Sequence, residues 1–583
     1  MNNQKIPLTL AITGHRDPRQ ADWEILSASV RKIFRFLQQH YPHTPLQLLS
    51  PLADGADRLV AQVALAEKVQ LIVPLPMPQA LFESDFDADS KKEFRALLEQ
   101  ASQIFTLPLV AGNTEENIAN HGDHRTQQYG LGGAYVARHS HILIALWDGI
   151  DLGKTAGTSE IVKFKHTGNM KGLAVDYQPP TSSLDSPDMG PICQIVTPRA
   201  QTKQPAFAVG NIRILLPNSQ DSDNLEDLLS NELATIELFN RDVKRYANHP
   251  KVQKTTESTQ KHLIPPKLWQ DLPNSVPGFQ NLLGVYGSAN SLAKHFQARM
   301  KHLSLTALMM AFAMVGFYGW YANIDHNRPL TLGIYAVLFI GALLIVSWVK
   351  WRRYHHKALD YRALTEGLRI QIFWHLSGLK YSVSDYYLRK QRQELAWIRS
   401  SIRALNVYDW VSNQQTPDVV RDHWVLSETG WFTKTAQQKK QISQRLNWSI
   451  KGLFGIGIIC MVGLWIDHVF GMWLWDYSIL QTHPIWHNLL ILLIALFPAA
   501  GALLHHYLES MAFAEEAKQY KRMAHLFKRA DQQLKQLQSQ AQSAETDHLS
   551  PEQQVLFELG KEALAENGDW VLLHRKPPLR VPI

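Results

Sequence analysis

Two uncharged stretches joined by a short polar turn constrain this chain more than any other feature. Residues 303–322 and 330–349 contain no Asp, Glu, Lys or Arg, and about twenty apolar residues are enough to cross the hydrocarbon core of a bilayer. The turn between them, residues 323–329, holds Asp325 and Arg328, which hydrocarbon does not tolerate without a partner. The pattern predicts a transmembrane hairpin.

A second pair of apolar runs lies later in the chain and is bracketed by tryptophan. Residues 452–466 and 489–504 are shorter, so they need their flanking residues to span a bilayer. Tryptophan favours the membrane interface, where its ring is apolar and its N–H is hydrated. The bracketing residues are Trp448, Trp465, Trp473, Trp475 and Trp486. We therefore predict a second hairpin, with four spans in total.

The basic residues beside these runs predict the orientation of the chain. Lys and Arg close to a span are retained on the cytoplasmic side of the membrane. They precede the first and third runs and follow the second and fourth: Arg299, Lys301, Lys350, Arg352, Arg353, Lys439, Lys440, Arg445, Lys518, Lys521 and Arg522. The outer turns carry only Arg328. Both termini and residues 354–447 are therefore expected in the cytoplasm.

Net charge and cysteine content argue against two classes of protein. The formal net charge is +7 over 583 residues, and much of the excess lies beside the apolar runs, where it meets anionic lipid. A nucleic-acid-binding protein is therefore disfavoured. The only cysteines are Cys193 and Cys460, which makes a disulfide framework implausible and fits a reducing compartment.

The first part of the chain alternates strand-like and helix-like stretches. We predict strands at residues 8–12, 46–49, 71–75 and 142–146, and helices at 23–39, 56–67, 91–103 and 133–139. Such alternation is typical of a parallel sheet covered by helices on both faces. The predicted fold is an α/β, Rossmann-like amino-terminal domain followed by an all-α membrane domain with four transmembrane helices and long cytoplasmic helices.

Three loops rich in glycine and small polar residues follow predicted strands. They cover residues 13–17, 54–58 and 153–160. Ligands of parallel α/β sheets bind at the carboxyl ends of the strands, where loops and helix amino termini converge. Gly14 permits close backbone approach, and the planar guanidinium of Arg16 suits a phosphate. One such loop is weak evidence, but three at one sheet edge indicate an anion site.

Four motifs in these loops resemble the SLOG superfamily, Rossmann-like domains that include the LOG phosphoribohydrolases. They are ITGHRD at Ile12, ADGADRLVA at Ala53, LIALWDG at Leu143 and AGTSEIV at Ala156. The resemblance spans roughly the first two hundred residues and implies a site for a nucleotide-derived ligand. It implies the ligand-binding residues Gly14, Arg16, Gly55, Asp57, Arg58, Gly157, Thr158 and Ser159, and we add Asp148, which follows the fourth predicted strand.

One departure from the LOG enzymes bears on catalysis. Their loop has the form GGxGTxxE, whereas here the residue three beyond Thr158 is Ile161, and Glu160 stands one place early. N-glycoside cleavage needs a placed carboxylate, and a shift of one residue turns a helical side chain by about 100°. A binding domain is therefore favoured and no catalytic residue is assigned. If the protein is an enzyme, Glu160 or Asp57 would act, with Asp148 as a further candidate.

No metal site and no cofactor are predicted. His121, Asp123 and His124 share a loop but lack a defined ligand spacing, so we expect a solvated loop. His355–His356 and His505–His506 each follow a span, and adjacent residues do not share a helix face. Interfacial positions explain these histidines better than metal binding.

Composition also predicts linkers and domain boundaries. Residues 178–191 and 253–278 have loop-like composition, and the second stretch is a plausible hinge before the membrane part. The predicted boundaries are 1–215 for the α/β domain, 216–298 for a linker and pre-membrane helix, 299–353 for the first hairpin, 354–447 for a cytoplasmic helical segment, 448–507 for the second hairpin and 508–583 for a carboxyl-terminal helix and tail.

The segments after the hairpins show helical spacing of apolar residues. Residues 358–369 and Trp397-Ile398-Arg399 resemble SLATT and related two-span domains, which occur with SLOG domains in bacterial nucleotide-signalling systems. This resemblance implies a multi-pass effector of antiphage defence in the bacterial inner membrane. Four spans instead of two depart from the simplest family plan, so a pore stoichiometry is not carried over.

Two hypotheses follow from the sequence. The first is a homo-oligomeric membrane effector that binds a nucleotide-derived second messenger and opens or disrupts the bilayer, with membrane lipid as its other partner. The second is a membrane-tethered phosphoribohydrolase or nucleotide glycosidase. Pro498 predicts a bend in the fourth span. Glycines that predict close helix packing are Gly316, Gly319, Gly333, Gly341, Gly455, Gly457 and Gly463.

Overall fold

The protein divides into two compact units. The structure, a computed structural model, describes residues 4–170, 190–200, 207–216, 221–264, 278–324, 329–387, 392–407, 417–474, 480, 483–540 and 549–575. The first unit comprises Met1–Asn290 and Leu364–Gln415, and the second comprises Ser291–Ala363 and Thr416–Ile583. Most of the segment between the two hairpins therefore belongs with the amino-terminal part of the chain.

The first unit is built on a seven-stranded sheet. Its strands are β1 (Leu8–Gly14), β2 (Leu46–Leu49), β3 (Gln70–Leu75), β4 (Gln103–Thr106), β5 (Ile142–Trp147), β6 (Ile192–Val196) and β7 (Ile212–Leu215). Their order is β4-β3-β2-β1-β5-β6-β7, and every neighbouring pair is parallel except β6 and β7. The chain proceeds outward from β1 to β4 and then places β5 on the other side of β1. The topological switch point therefore lies between β1 and β5.

Helices cover this sheet and confirm the predicted α/β class. They are α1 (Trp23–His40), α2 (Ala56–Ala66), α3 (Gln79–Glu83), α4 (Ala88–Glu99), α5 (Glu115–Ile118), α6 (Asp123–His139) and α7 (Thr158–Thr167), with short 3-10 turns at Gln20–Asp22 and Leu225–Leu228. The predicted strands correspond to β1, β2, β3 and β5. The helix predicted to end at Gln103 ends earlier, because Gln103 begins β4.

Two further helices follow the sheet where we predicted mainly linker. They are α8 (Asn231–Tyr246) and α9 (Pro250–Leu263). Asn240 anchors α8 to the start of the chain, since its side chain accepts from the Ile6 N–H at 2.9 Å and donates to the Ile6 carbonyl at 2.8 Å. The loop predicted from residue 253 is wrong as far as Leu263, because the prolines that indicated a loop, at 265, 266, 273 and 277, all lie beyond the end of α9. Residues 171–189 and 265–277, which hold most of the first predicted linker and half of the second, lie outside the described residues.

The segment between the hairpins forms α12 (Tyr354–Leu376), a 3-10 turn (Val383–Asp385) and α13 (Arg392–Leu405). Its part from Leu364 onward packs within the first unit. The ring of Trp397 lies 6.3 Å from that of Phe239 on α8. Arg138 of α6 forms an ion pair with Asp385. This segment is therefore a covering layer of the α/β domain.

The described part of the second unit is helical. Its elements are the long α10 (Phe279–Asn323), whose first residues belong to the first unit, α11 (Pro329–Arg352), α14 (Pro417–Val420), a π-helical turn (Arg421–Leu426), α15 (Ser427–Leu474), α16 (Pro484–Ser510), α17 (Phe513–Gln540) and α18 (Pro551–His574). Four helical stretches are long and apolar enough to cross a membrane. They contain the four predicted spans, in α10, α11, α15 and α16, which confirms the helical membrane-type region.

Some of the span glycines lie where neighbouring helices meet. A Cβ on Gly319 would stand 2.5 Å from Cδ1 of Leu492, and one on Gly457 would stand 2.9 Å from Cγ of Pro498. A Cβ at position 457 would meet the rigid ring of Pro498, whereas a Cβ at position 319 would meet the end of a flexible leucine side chain that can shift. α16 runs through Pro498 as one helix, and a bend there stays a prediction. In the described part of the chain, no atom lies within 4 Å of a Cβ placed on Gly333, Gly455 or Gly463.

The end of α18 joins the segments that follow both hairpins. Nε2 of His355, just after the first hairpin, donates to the carbonyl of His574 at 2.6 Å. Arg575 lies 3.2 Å from Asp360 of α12. The His574 ring lies 3.2 Å from Glu516 of α17, which follows the second hairpin. We call these five residues the C-terminal clasp.

Candidate functional site

The six parallel strands bring their carboxyl ends to one edge of the sheet. Gly14 of β1 pairs with Leu146 of β5, and Trp147 of β5 pairs with Val196 of β6, while β2 lies on the other side of β1. Loops leaving parallel strands at such an edge form the ligand site of open α/β sheets. We call the residues that follow β1, β5 and β6 here the switch-point site: His15, Arg16, Asp17, Asp148 and Arg199.

Two glycines bring the loop after β1 against the start of α2. A Cβ on Gly14 would lie 2.4 Å from Cβ of Ala56. Gly55 has a φ of +79°, and its Cβ would lie 2.4 Å from the carbonyl oxygen of Arg16, so only glycine suits that position. The Ala56 N–H donates to the His15 carbonyl at 3.1 Å. These predicted ligand-binding glycines therefore shape the edge by permitting close packing.

His15 and Asp148 form a buried pair at the switch point. The imidazole Nε2 lies 3.3 Å from both the Asp148 N–H and its Oδ1, and the two side chains are 1 % and 3 % exposed. Burial lowers the pKa of His15, although Asp148 opposes the shift, so the ring is neutral at pH 7. Its Nδ1 is buried without a hydrogen-bond partner among the described residues. A buried polar atom in this state is suited to a ligand.

Arg16 is exposed beside this pair. Its guanidinium carbon lies 4.9 Å from the centre of the Tyr129 ring on α6, a cation–π distance. The Tyr129 hydroxyl donates to Asp85, which is also held by Arg125 at 2.9 Å. Burial raises the pKa of Tyr129 to about 12. Arg16 is therefore held over a fixed ring while its N–H groups face no ion-pair partner among the residues described.

Arg199 contributes a second positive charge to the switch-point site. It follows β6, and its charge lowers the pKa of His15, which places the two side chains near each other. The Arg199 Nε is buried and has no hydrogen-bond partner in the described ranges. Its carbonyl accepts from Nε of Arg19 at 3.3 Å. Neither Arg199 nor the role of His15 was predicted from the sequence.

The helix α7 begins at the predicted third loop. Gly157 precedes the helix, and Thr158 and Ser159 are buried in its first turn. The first N–H groups of a helix have no intrahelical acceptor and carry a partial positive charge. The Ser159 hydroxyl is hydrogen-bonded to Asp151, and Lys163, Gly153 and this bond together lower the pKa of Asp151 to about 2. The backbone of α7, rather than its side chains, is therefore the part suited to an anion.

The two carboxylates considered for catalysis have different surroundings. Glu160 lies 3.8 Å from the amine of Lys163. Asp57 is buried at the start of α2 and accepts from the Ala53 N–H at 3.3 Å. Burial raises the pKa of Asp57 to about 7. Asp57 thus combines a pKa suited to proton transfer with a buried position in the first turn of α2.

Arg58 points into the interior between α2 and α4. Its side chain is 1 % exposed, with Nη2 2.8 Å from Asp54 and Nη1 3.0 Å from Glu93. Nε donates to the Leu52 carbonyl at 3.2 Å, and the guanidinium carbon lies 4.6 Å from the Phe86 ring centre. Each nitrogen has a protein partner, which gives Arg58 a structural role. Arg16 is the motif arginine exposed at the edge.

The histidines predicted to share a solvated loop have protein partners of their own, and Asp123 and His124 lie in the first turn of α6 rather than in the loop. His124 is hydrogen-bonded to Asn113 at 2.8 Å, and His121 lies 3.8 Å from Asp85. Within the described ranges, no group of three or more His, Cys, Asp or Glu side chains is placed to hold a metal ion.

Comparison with known proteins does not place this chain in a family. No protein-family model matches it, and a search of curated proteins finds no match. The resemblance to SLOG and SLATT domains therefore remains an expectation drawn from the motifs themselves.

Proposed function

We propose that this protein is a membrane effector whose α/β domain binds a nucleotide-derived ligand at the switch-point site and thereby changes the state of its membrane helices. The observation that carries this proposal is the path of α6. Tyr129, near the start of α6, lies under Arg16 of the site. Arg138, in its last turn, pairs with Asp385 in the segment that joins the two hairpins. One rigid element thus contacts both the site and the connecting segment.

A second contact strengthens the link at the far end of α6. The Tyr135 hydroxyl donates to the carbonyl of Val407, and Arg403 lies 3.8 Å from Asp385. A ligand that moves Arg16 or Tyr129 shifts the helix on which both Tyr135 and Arg138 stand. Coupling requires an element with two arrangements that both sites bias, and α6 with its covering segment is that element in this proposal.

The chemistry of the site favours a phosphate-bearing ligand. Arg16 and Arg199 supply positive charge, the first N–H groups of α7 supply donors, and the neutral His15 offers Nδ1. Guanidinium groups recognise phosphate through parallel N–H bonds. Arg16 forms no ion pair with a carboxylate among the described residues, although its charge acts on the buried Asp57. A nucleotide-derived second messenger fits this arrangement.

The membrane part supplies the response. Its apolar helices have the length and composition to cross a bilayer, and in α11 no residue is buried against the protein. The proposal places the chain as a homo-oligomer in the bacterial inner membrane with both termini in the cytoplasm. There the bound signal opens or disrupts the bilayer in antiphage defence.

Ligand binding and ion flux test the proposal together. The full chain, purified in detergent, is screened against linear and cyclic nucleotides by thermal shift, and hits are added to dye-loaded liposomes containing the protein. We expect a hit that both stabilises the protein and releases dye. Arg16→Gln should weaken binding about tenfold or more, since it removes a charge-assisted hydrogen bond of roughly 1.5–3 kcal/mol.

Arg35→Gln is the matched control. Arg35 is an exposed arginine on α1 that pairs with Glu67, after the last residue of α2 and so at the opposite end of that helix from Gly55. Equal losses in the two variants would mean that general charge attracts the ligand. Binding without dye release at any ligand concentration would separate the domain from the membrane response and defeat the proposal.

A second function is favoured by one specific observation, the pKa of Asp57. A buried carboxyl group with a pKa of about 7 is suited to general acid or base catalysis. In that case the protein is a membrane-tethered nucleotide glycosidase or phosphoribohydrolase. Release of free base or ribose phosphate by the parent, together with loss of turnover in Asp57→Asn, would establish this function. Binding with no product would exclude it.

A further inference from the structure

We propose that α15 carries a binding site for the phosphate headgroup of an anionic phospholipid, just before the third membrane span. A cavity of about 410 Å³ lies along this helix, and its lining consists of polar and aromatic side chains. The lining residues are Gln441, Gln444, Arg445, Asn447, Trp448 and Lys451. This site is independent of the proposed nucleotide ligand.

Most of the lining residues share one face of α15. Gln441, Gln444 or Arg445, Trp448 and Lys451 recur at spacings of three or four, which places them along one side of a helix. The opposite face contains Ser443 and Ile450, both buried. The lined face is exposed and Trp448 is 75 % exposed, so the protein's described residues do not cover it.

The electrostatics of this face suit an anion. Between Glu428 and Asp467 the sequence contains no acidic residue. Arg445 and Lys451 have no ion-pair partner among the described residues. The Lys451 amine lies 5.5 Å from the centre of the Trp448 ring, which holds it at the cavity. The amides of Gln441 and Gln444 add hydrogen-bond donors without adding charge.

The position along α15 selects lipid rather than a soluble anion. Lys451 directly precedes the apolar run at residues 452–466, and Arg445 lies roughly 9 Å farther along the helix axis. Basic side chains at this depth reach the headgroup region of the bilayer, and an exposed tryptophan prefers the same layer. The apolar surface that follows the cavity can receive acyl chains. Anionic headgroups are concentrated in the cytoplasmic leaflet.

Lipid titration of the full chain tests the site. Native mass spectrometry in detergent gives the dissociation constant of the first bound phosphatidylglycerol and of phosphatidylcholine. We expect tighter binding of phosphatidylglycerol. The double variant Arg445→Gln/Lys451→Gln should lose about 30-fold of that affinity, because each basic side chain near an anionic headgroup contributes roughly a fivefold factor. Phosphatidylcholine binding should stay unchanged, which also verifies that the variant is folded.

The control variant is Lys434→Gln/Lys440→Gln, which removes the same charge from exposed positions of the same helix that do not line the cavity. It should keep most of the phosphatidylglycerol affinity. Three outcomes would overturn the proposal: equal loss in the two double variants, equal affinity of the parent for both lipids, or displacement of phosphatidylglycerol by an equal concentration of inorganic phosphate. The last would identify a site for a soluble anion.

Discussion

The strands of the first unit and the spans of the second have similar apolar composition but opposite surroundings. In β1, Leu10 and Ile12 are 0 % and 1 % exposed, whereas in the spans Val337 and Ile459 are 70 % and 71 % exposed. Exposed apolar surface of this extent is not stable in water. The strands obtain their apolar environment from helices of the same chain, and the spans must obtain theirs from lipid.

The two regions also differ in whether they can hold a charged or ionisable side chain away from water. Lys165 is fully buried in the first unit, and its amine donates to the carbonyls of Ala137 and Ser140 at 2.8 and 2.7 Å. Burial lowers the pKa of Lys165 well below its usual value. A protein interior can thus hold an amine because carbonyls at the end of α6 accept its hydrogens. The lipid-facing surface of a span offers no such acceptors, which explains why its central residues are uncharged.

Removing one apolar side chain from each environment should give the largest difference in stability between the two regions. Ile12→Ala should destabilise the first unit by about 2–5 kcal/mol, because it leaves a cavity in a packed core. Ile459→Ala should change stability by less than about 1 kcal/mol, because lipid fills the space it vacates. Hydrogen exchange of β1 and α15 amides in nanodiscs measures both. Similar losses at the two positions would mean that protein, not lipid, surrounds Ile459.

Arg58→Ala tests the charge side of the comparison. We expect a loss of about 3 kcal/mol, since the substitution breaks a buried ion pair and opens a cavity beneath Phe86. Arg95→Ala is the control: Arg95 also pairs with a carboxylate, Glu83, but its side chain is 62 % exposed, and such pairs contribute only about 0–1 kcal/mol. Urea unfolding of both variants gives the difference. An unfolding midpoint for Arg58→Ala equal to that of Arg95→Ala would show that Arg58 does not stabilise the fold through its ion pairs.

Within the membrane part, Gly457→Ala and Gly455→Ala sharpen the comparison. A Cβ at position 457 meets Pro498, whereas the described residues leave open space around a Cβ at position 455. Overpacking should weaken the contact of α15 with α16 by about 1–3 kcal/mol in the first variant. Thermal unfolding in detergent should show no loss in the second. A loss confined to Gly455→Ala would point to contacts that Gly455 makes with another molecule.

Lowering the pH should destabilise the first unit gradually. Burial lowers the pKa of His139 and His141 to about 3 and that of His375 to about 4. The unfolded chain binds these protons near pH 6.5, so each histidine stabilises the fold above that pH and loses about 1.4 kcal/mol per pH unit below it. His141→Gln should reduce the slope of the free energy of unfolding against pH, between about pH 6.5 and 4, by the contribution of one histidine.

Comparing the parent with His141→Gln at each pH separates the contribution of His141 to stability from that of Asp57. The raised pKa of Asp57 changes stability with pH in the opposite direction. Stability from Asp57 falls as the pH rises from about 4 to about 7. Denaturant unfolding at half-unit pH steps supplies the slopes. Parallel curves for the parent and His141→Gln would show that the pKa of His141 is the same in the folded and unfolded states.

The strongly patterned parts of the fold were predictable. The spans and the strands β1, β2, β3 and β5 were found because they are continuous apolar runs. β4 was missed because its side chains alternate between half-buried and exposed, which gives no apolar run. β6 and β7 lie beyond the fourth helix-and-strand repeat, where Gln194 and Arg213 interrupt the apolar pattern. The covering segment from Leu364 was predicted as a cytoplasmic helical segment separate from the α/β domain, because sequence does not show which surface an apolar helix meets.

The site was predicted in place more than in detail. The motifs indicated the sheet edge that holds the candidate site and included Asp148, but His15, inside the same ITGHRD motif, was given no role. Its signal is a polar side chain placed directly after a buried strand. Arg199 could not be predicted as a site residue because it follows β6, and that strand was not predicted from the sequence. Arg58 looked equivalent to Arg16, because sequence shows that an arginine is present but not whether carboxylates of α4 already hold it.

The C-terminal clasp has a consequence for how the protein is made. Its contacts connect residues 219 and 215 positions apart. At a translation rate of about 5–20 residues per second, a ribosome needs roughly 10–40 s to proceed from His355 to His574. The first hairpin is therefore synthesised well before α18 exists. The contacts of the C-terminal clasp can form only after α18 has been synthesised, however early the spans insert.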